Sequence, residues 1–547
     1  MKVINAKLIN SENIDFGDFN VFIGGNGVGK TTFILELFAY AIGQTRTKNY
    51  WVSQLEYDTD NVKEDILLLK NSMSSKTEGM SLFYYSTATK NIDGNVDHSQ
   101  NLRFSQEDIK QMDAIDEKTK IINDLRYRRP FISFSSCESR LALQDEVGTI
   151  GLDQPPTDSI NVLFRNKTLL EDINRTILHL FNAHFVLLSH TLTKLQLGLS
   201  KTPLPNFNKN AHNLQEECSI AQKWKEEHFT PLSEAGHGIR SMIRLLTSLL
   251  DPINQIILID EPEMHLYPAQ KRWLGRKLVE LAAMQRKQVF LVTHDPIILQ
   301  GILDSNTSTT IFRIDRLKNN QGNIQQCSFN KGIESTAMKN QEQFLQGLFY
   351  QRCIIVEGAS DRSFYQTLFE QHQNISDKDF GFVASGGTGS TKNIVDIFSK
   401  VGAHIVFIYD FDVILYNHEL IQYVYDALGG SATNIFEDLK KNFQDKQAKD
   451  KNEIKKLCDY SEKYGIRSDW AKEHQNIFTE IISSLEKVGI FIVPNGTLES
   501  WAPEVEPKVR FAEMAPIKIN SDLNLRKPLE EFINKILKYF DIEETSV

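Results

Sequence analysis

The sequence of 547 residues has little cysteine and no long apolar run. Its five cysteines are odd in number, lie far apart and form no C-x-x-C pair. That pattern argues against a disulfide framework or a zinc site and favours a reducing compartment. The first residues lack the apolar core of a signal peptide, and no run of about 18 apolar residues could span a bilayer. We therefore expect a cytoplasmic protein with no membrane partner.

The sequence also has no excess of positive charge. Lysine and arginine total 61 against 71 acidic residues, which gives a net charge of −10. This balance excludes a uniformly basic coat for nucleic acid, although it leaves room for a local basic groove because fields follow local charge. Single cores seldom grow past about 250 to 300 residues, so we expect about two to four domains.

A phosphate-binding loop is the strongest motif in the chain. Residues 24–31 fit the pattern G-x-x-x-x-G-K-[ST], after an apolar strand at 21–23 and before an apolar helix at 33–43. Glycines let successive N–H groups face phosphate oxygens, the lysine brings a positive charge, and the threonine offers a hydroxyl to Mg²⁺. A glycine-rich loop alone is usually a turn, but the flanking strand and helix favour phosphate binding. The predicted nucleotide-binding residues here are Gly24, Asn26, Gly27, Gly29, Lys30, Thr31 and Thr32.

A second block contains a small-residue loop and two apolar strands. Ser233 is placed to cap the apolar helix at 242–250, and an ordinary helix cap explains this loop on its own. The strand at 255–259 ends in Asp260 and Glu261, which suits a carboxylate near Mg²⁺ beside one that orients or deprotonates water.

The strand at 288–293 ends in His294, and a helical stretch at 269–286 lies between the two strands. Strand, helix and strand at this spacing predict parallel neighbours in one sheet. The two carboxylates and the histidine should therefore meet the phosphate loop at one sheet edge.

In order and type, these motifs resemble the ABC-type ATPase heads of chromosome-maintenance, recombination and anti-phage proteins. The resemblance implies ATP binding and a dimer in which the loop of one head, with Ser233, Gly236 and Gly238, touches the γ-phosphate held by the other. It also implies that Glu261 is the catalytic base and His294 the γ-phosphate sensor. The loop departs from the transporter-like Ser-Gly-Gly-Gln, which makes efficient turnover less secure than binding.

Several positions of the family pattern stay open. The candidates for its glutamine loop are Gln54, Gln144 and Gln154, none of which has a distinctive context. We interpret His265 as structural or as a dimer contact. Residues 150–230 are expected to form a helical or dimerisation insertion within an ATPase domain at 1–340.

The remaining part, 341–547, places carboxylates at strand ends without a second phosphate loop. Glu357 follows an apolar strand, a glycine-rich turn occupies 385–390, and a third strand is expected to run through Asp410 and Asp412. Alternation along that strand would put both aspartates on one side, where their repulsion favours a bound cation. Oxygen-only ligands suit Mg²⁺ or Mn²⁺.

This order of elements resembles a TOPRIM domain, the metal-dependent module of topoisomerases, primases and certain nucleases. The alternative is a plain α/β domain whose acidic residues face solvent. For Glu499, the alternative to a metal ligand is a helix cap. We expect a charged helical insertion at about 416–489 and a docking helix at 528–540 with one apolar face. The predicted metal ligands are Thr31 and Asp260 in the ATPase part and Glu357, Asp361, Asp410, Asp412 and Glu499 in the TOPRIM part.

An ABC-type head followed directly by TOPRIM resembles the overcoming-lysogenization-defect (OLD) family of ATPase–nucleases, which includes anti-phage effectors of Gabija systems and some retrons. The resemblance implies an α/β protein that hydrolyses ATP and cuts DNA with Mg²⁺ or Mn²⁺. It implies a homodimer or higher oligomer through the heads, with a companion protein or a reverse transcriptase and its nucleic acid as partner. The competing hypothesis is a nucleotide-switched scaffold whose TOPRIM domain recruits a partner without cutting.

Overall fold

The computed structural model describes most of the chain. The residues outside the description are 45–48, 59–73, 76–81, 91–95, 106–128, 142–144, 150–158, 190–192, 208–210, 252, 306, 317–321, 330–341, 373–379, 387–390, 393, 397, 399–402, 432–433, 438–440, 442–464, 466–474, 506–509 and 541–547. The chain divides into two compact units, and the main division falls between residues 335 and 336.

The first unit contains most strands of the chain. Its strands are β1 (Lys2–Leu8), β2 (Asn13–Asp15), β3 (Phe19–Ile23), β4 (Val52–Asp58), β5 (Ser74–Ser75), β6 (Leu82–Lys90), β7 (Val96–Ser105), β8 (Ile132–Ser135), β9 (Glu146–Gly148), β10 (His184–Leu188), β11 (Lys194–Ser200), β12 (Thr230–Pro231), β13 (Ile256–Asp260), β14 (Gln288–Val292), β15 (Thr309–Arg316) and β16 (Gly322–Phe329). Its helices are α1 (Lys30–Ala41), α2 (Cys137–Leu141), α3 (Ser159–Arg165), α4 (Lys167–Phe181), α5 (Leu214–His228), α6 (His237–Ser248), α7 (Pro268–Met284) and α8 (Pro296–Leu303).

The described residues of this unit form a six-stranded sheet in the order β16-β15-β3-β14-β13-β8. All neighbours from β15 to β8 run parallel, and only β16 is antiparallel to its neighbour. Strands such as β3 and β14 are buried along their whole length, as central parallel strands between helices are. The predicted strand–helix–strand unit is confirmed, and the carboxyl ends of β3, β13 and β14 lie at one sheet edge.

Phenylalanines form the core beneath helix α1. The ring of Phe22 on β3 stacks on that of Phe312, with centroids 4.9 Å apart, and lies 6.4 Å from the ring of Phe290. Phe33 of α1 reaches the same cluster, 5.0 Å from Phe22. Each fully buried side chain of this size contributes about 1.5–3 kcal/mol. The packing therefore holds the helix that starts at the phosphate loop against the strand that precedes it.

The expected helical insertion at 150–230 is helical only in part. It contains α3, α4 and α5 but also β10 and β11, which pair antiparallel. Elsewhere in the unit, β7 pairs with β6, and β16 pairs with β15 at the edge of the six-stranded sheet. The sequences of β7 and β16 contain many polar residues, so their apolar periodicity is weak.

The second unit is a smaller α/β domain. Its strands are β17 (Arg352–Val356), β18 (Phe380–Ala384), β19 (His404–Tyr409) and β20 (Ile490–Ile492). Its helices are α9 (Glu342–Gly347), α10 (Ala359–Gln371), α11 (Val413–Tyr416), α12 (His418–Ala427), α13 (Gln475–Lys487), α14 (Phe511–Ser521) and α15 (Leu523–Tyr539).

The four described strands form one parallel sheet in the order β18-β17-β19-β20. Helix α15 packs its apolar face into the core of this unit, which confirms the predicted docking helix; the buried residues are Leu529, Phe532, Ile533, Ile536 and Leu537. Half of the expected charged insertion at 416–489 lies outside the described residues, and the described half includes α12 and α13. None of the helices that the structure describes has the length and apolarity to cross a bilayer.

Candidate active sites

The phosphate loop joins β3 to α1 through glycines in left-handed backbone conformations. Gly24, Gly27 and Gly29 have φ angles of 144°, 73° and 102°, which residues with a Cβ rarely adopt. Gly29 is the N-cap of α1, and a Cβ there would lie 3.1 Å from Cζ2 of Trp51. Lys30 is 2% exposed at the first turn of α1. The backbone of the loop thus has the shape that its sequence pattern predicts.

Thr31 and Asp260 come together from α1 and β13. The Thr31 hydroxyl donates a hydrogen bond of 3.4 Å to Oδ1 of Asp260. Burial and the neighbouring Glu261 carboxylate raise the pKa of Asp260 to about 6, against the opposing effect of Thr31 and nearby cations. A divalent cation accompanying bound nucleotide would relieve this unfavourable negative charge. The structure therefore brings together the two residues expected to hold Mg²⁺ in this unit.

Glu261 and His294 also meet at this edge. Nε2 of His294 lies 3.3 Å from Oε1 of Glu261. Burial and the charge of Lys30 lower the pKa of His294 to about 4, so the imidazole is neutral at pH 7 and the contact is not an ion pair. Glu261 has a positive φ of 49°, which is costly for a residue with a Cβ. Strain of this kind is common where a side chain must be aimed at a reacting group.

Glu263 holds the backbone at His294 through hydrogen bonds. The sequence did not predict this residue as part of the site. Its Oε1 accepts hydrogen bonds from Oγ1 of Thr293, at 2.9 Å, and from the backbone N–H of His294, at 2.8 Å. Burial raises the pKa of Glu263 to about 7. In the sequence, Glu263 is distinguished only by its position two residues after Glu261, and that position alone does not indicate a function.

Glu36 fixes the segment that covers the phosphate loop, and it too was missed. The buried Glu36 carboxylate on α1 accepts hydrogen bonds from the backbone N–H groups of Tyr50, Trp51 and Val52, at 2.8 to 3.1 Å. This places the indole of Trp51 beside Gly29. The sequence cannot distinguish a helical glutamate that faces solvent from one that accepts backbone hydrogen bonds from a neighbouring segment.

The signature-like loop differs from expectation. Ser233 lies in a short 3₁₀ helix, Leu232–Glu234, and does not cap α6, whose N-cap is Gly236 without a side-chain hydrogen bond. The Ser233 N–H and hydroxyl instead donate to the carboxylate of Asp145, at 2.7 and 2.5 Å. The helix-cap interpretation of Ser233 is therefore wrong, because a carboxylate from a distant segment binds both of its donors.

Gly238 packs tightly against the chain after β13. A Cβ on Gly238 would lie 2.4 Å from the carbonyl oxygen of His265, so this helix position requires glycine for close approach. His265 itself has a φ of 66°, and its ring lies 5.2 Å from that of His237. Among the glutamine-loop candidates, Gln54 is exposed on β4, and Gln144 and Gln154 lie outside the described residues.

The second unit gathers carboxylates where β17 and β19 end. Glu357 follows β17, and its Oε1 accepts a 3.1 Å hydrogen bond from the backbone N–H of Asp410, which follows β19. Asp412 lies beyond the strand, at the N-cap of α11 with helical backbone angles. Strand alternation is therefore the wrong reason for pairing the two aspartates, since the chain has already turned into a helix.

Electrostatics shows that these acids are crowded. Burial raises the pKa of Glu357 to about 7, with Asp412 adding to the shift, and raises the pKa of Asp410 to about 9, with Glu357 and Asp361 adding to it. Burial also raises the pKa of Asp361 and Asp412, and the charge of Glu499 contributes at Asp361. Protons or a cation must offset this concentration of negative charge.

The donor chemistry of this cluster suits a hard divalent cation, because every candidate ligand is a carboxylate oxygen. Across the described part of the chain, however, no three carboxylate, histidine or cysteine side chains converge as a preformed metal cage. Glu499 accepts a 2.9 Å hydrogen bond from the Thr497 hydroxyl within the 3₁₀ helix Leu498–Trp501. Its role as a ligand stays a prediction.

Family comparisons agree with this division of chemistry. Residues 105–300 match an AAA-domain family described for a candidate AbiEii toxin of type IV toxin–antitoxin systems. Residues 348–412 match the TOPRIM domain of overcoming-lysogenization-defect-like proteins, a range that includes Glu357, Asp361, Asp410 and Asp412. The chain is also 26% identical over 214 residues to the OLD nuclease of Thermus scotoductus and 22% identical over 424 residues to the endonuclease GajA of Bacillus cereus.

The chain thus resembles the OLD-family ATPase–TOPRIM nucleases.

The two alignments cover the chain and its relatives unequally. The first spans 36% of this chain and 39% of the Thermus protein, and the second spans 70% of each chain. Among solved structures, the SMC head bound to the winged-helix domain of ScpA aligns with 60% of this chain and 99% of its own, at 11% identity and a TM-score of 0.31. The SMC head of Thermotoga maritima, at 12% identity, covers 60% of this chain and 100% of its own with a TM-score of 0.28. Scores this low carry no argument, and the fold rests on the strand order and motifs described above.

Proposed function

We propose that this protein is a member of the OLD family and an ATP-regulated, divalent-metal-dependent DNA endonuclease, with an ATPase domain at 1–340 and a nuclease domain at 341–547. The observation that supports the nuclease most directly is the buried carboxylate cluster at the ends of β17 and β19. It lies within the segment that matches the OLD-like TOPRIM domain. The names of the two relatives, a nuclease and an endonuclease, support the same reaction class.

The nuclease site would work through its acidic side chains. Glu357, Asp410 and Asp412 would hold Mg²⁺ or Mn²⁺, with Asp361 and Glu499 beside them. When bound, such a cation supplies Lewis-acid stabilisation of a phosphodiester and lowers the pKa of water. The residues must also exchange protons for that cation, since the pKa of Glu357 is about 7 and that of Asp410 about 9. The hydrogen bond from the Asp410 N–H restrains Glu357 while this exchange occurs.

In the ATPase site each residue would have a separate role. Lys30 and the loop N–H groups would bind the phosphates, and Thr31 with Asp260 would hold the accompanying Mg²⁺. Glu261 would orient and deprotonate the attacking water, with neutral His294 beside it as the γ-phosphate sensor. The left-handed backbone of Glu261 supports this role, because strained conformations of this kind are concentrated at active sites.

The biological setting follows from the family resemblance. We propose a cytoplasmic protein of anti-phage defence, acting as the effector of a system with several components such as a retron. Its partners would be DNA, a second copy joined through the ATPase heads with Ser233, Gly236 and Gly238 near the partner's nucleotide, and a companion protein or reverse transcriptase with its nucleic acid.

The test is cleavage of supercoiled plasmid DNA by purified wild-type and Glu357→Gln proteins with Mg²⁺, Mn²⁺ or EDTA. We expect wild type to nick only with a divalent cation and the variant to lose nicking. The matched control is Glu370→Gln, an exposed carboxylate on α10 that should cut like wild type. Equal nicking by wild type and Glu357→Gln would remove the nuclease assignment.

A second candidate function is a nucleotide-switched scaffold whose TOPRIM domain binds a partner without cutting. One observation favours it, namely that no metal cage is preformed among the described residues. Metal-dependent strand cleavage by the purified protein separates the two functions, because a scaffold would bind its partner equally well in EDTA and leave DNA intact.

A further inference from the structure

Arg140 is a fully buried charged side chain at the ATPase site. It lies on α2, directly after β8, and its side chain is 0% exposed. Its guanidinium donates four hydrogen bonds, to the Ser135 carbonyl at 3.1 Å, the Asp260 carbonyl at 2.8 Å, the Glu261 carbonyl at 2.6 Å and the Ser241 hydroxyl at 2.9 Å. The planar fork of arginine can serve several fixed acceptors at once, which a lysine cannot.

Two of those acceptors belong to the acidic pair that ends β13. Glu261 keeps its positive φ of 49° with its N–H bound to the Val292 carbonyl and its own carbonyl bound to Arg140. A strained backbone persists only where its surroundings hold it from several sides. Without Arg140, two described backbone hydrogen bonds would hold this residue, one of 2.9 Å from its N–H to the Val292 carbonyl and a long one of 3.4 Å from the Met264 N–H to its own carbonyl.

The charge of Arg140 is balanced within the site. Burial lowers its pKa, and the negative groups nearest to it, including Glu263, Asp260 and Glu261, oppose that effect. An arginine stays protonated in proteins, so these carboxylates face a permanent cation. The side chain therefore fixes position through hydrogen bonds and also stabilises the acids electrostatically.

The fourth acceptor links the site to helix α6. Ser241 lies one turn into α6, and Arg240 of the same helix donates in the opposite direction to the Leu141 carbonyl of α2. Helices α2 and α6 are thus joined by two arginine hydrogen bonds. Helix α6 begins beside Gly236, where an added Cβ would meet no atom within 4 Å.

We infer that Arg140 is a positioning residue for ATP hydrolysis, holding the Glu261 backbone in its strained conformation and transmitting the position of α6 to that carboxylate. The inference rests on the proposed hydrolysis of ATP at Glu261. Nothing in the sequence marks this arginine, because three of its four acceptors lie 101 to 121 residues away in the chain.

The experiment measures ATP turnover and nucleotide affinity separately in Arg140→Lys and Ser241→Ala proteins. A lysine can satisfy one or two of the acceptors, so Glu261 shifts while the phosphate loop is untouched. Because a displacement of about 1 Å can cost on the order of 10²-fold in rate, we expect kcat to fall by about that factor for Arg140→Lys. Ser241→Ala should lower kcat less, by about 3- to 10-fold, because three of the four hydrogen bonds remain.

For both variants the dissociation constant of a fluorescent ATP analogue should stay within about threefold of wild type, since binding depends on the phosphate loop. The matched control is Arg276→Lys, an exposed arginine on α7 paired with Glu280, which should behave like wild type.

Wild-type kcat in Arg140→Lys would overturn the inference. So would parallel losses of kcat, affinity and melting temperature in both variants, since these would indicate a general role in folding. If Arg140→Lys does not fold, Ser241→Ala decides: lower kcat at unchanged affinity supports the inference, and unchanged kcat overturns it. Glu261→Gln tests the underlying proposal independently, because wild-type turnover in that variant would refute the role of Glu261 without involving Arg140.

Discussion

Replacing Asp410 by asparagine should make the second unit more stable while removing nuclease activity. Asparagine has nearly the same shape as aspartate, and its side-chain oxygen can still accept the hydrogen bond that the Leu498 N–H donates to Asp410. The substitution removes a titratable group from a cluster in which burial, Glu357 and Asp361 raise the pKa of Asp410 to about 9. The substitution therefore removes the unfavourable electrostatic free energy of the buried Asp410 carboxyl in the folded state.

The size of the effect follows from that pKa. Keeping a carboxyl with the ordinary pKa of 3.8 protonated at pH 7 costs about 4 kcal/mol, at about 1.4 kcal/mol per pH unit. Asp410 retains some contact with solvent, and Glu357 shares the same titration, so we expect about half of this, about 2 kcal/mol. For a unit of this size the melting temperature should rise by about 6 °C.

The sign of the pH dependence is also defined. Because the folded pKa of Asp410 lies above its ordinary value, the wild-type stability from this group is fully present below about pH 4 and is lost as the pH rises toward 9. The advantage of Asp410→Asn should therefore grow between about pH 5 and pH 8. Thermal unfolding in EDTA, followed by calorimetry across this range, measures it.

Addition of Mg²⁺ should make the wild type more stable than Asp410→Asn. A ligand at 100 times its dissociation constant stabilises the folded state by about 2.7 kcal/mol, and only the wild type retains the Asp410 carboxylate. The control is Glu370→Gln, which should melt like wild type with and without metal. A melting temperature for Asp410→Asn in EDTA equal to or below that of wild type would refute the electrostatic reasoning, whatever happens to DNA cleavage.

Three further predictions concern the first unit. Glu261→Gln should bind ATP with near wild-type affinity and hydrolyse it at least about 10²-fold more slowly, as phosphate-release kinetics would report. Glu36→Gln should destabilise the fold by about 1–3 kcal/mol and speed hydrogen exchange at the amides of residues 50–52, whereas unchanged exchange would contradict the assigned contacts. Gly238→Ala should lower the melting temperature and slow ATP hydrolysis, because its Cβ would lie 2.4 Å from the His265 carbonyl; a wild-type melting curve would count against that packing.

The parts of both sites that follow strand ends could be predicted from the sequence. Buried parallel strands give uninterrupted apolar runs, so the residues at or just after their ends, such as Asp260, His294 and Glu357, are easily located. Parallel neighbours then require these residues to share an edge, which is why the contact between Glu261 and His294 was foreseeable.

The supporting residues could not be predicted in this way. Asp145 reaches Ser233 across 88 residues of chain, and Arg140 reaches Glu261 across 121, so no local pattern links them. The position of Asp412 was expected for the wrong reason, because β19 ends at Tyr409 and Asp412, three residues later, is the N-cap of a helix. Polar edge strands such as β16 lack the apolar periodicity on which strand prediction depends.

The most direct test of the central claim, that one chain contains an ATPase site and a separate metal-dependent nuclease site, is to assay Asp410→Asn for both reactions in the same preparation. We predict ATP hydrolysis at the wild-type rate together with complete loss of Mg²⁺-dependent DNA cleavage. Cleavage that persists in this variant, or that is absent from wild type under all divalent cations, would contradict the account.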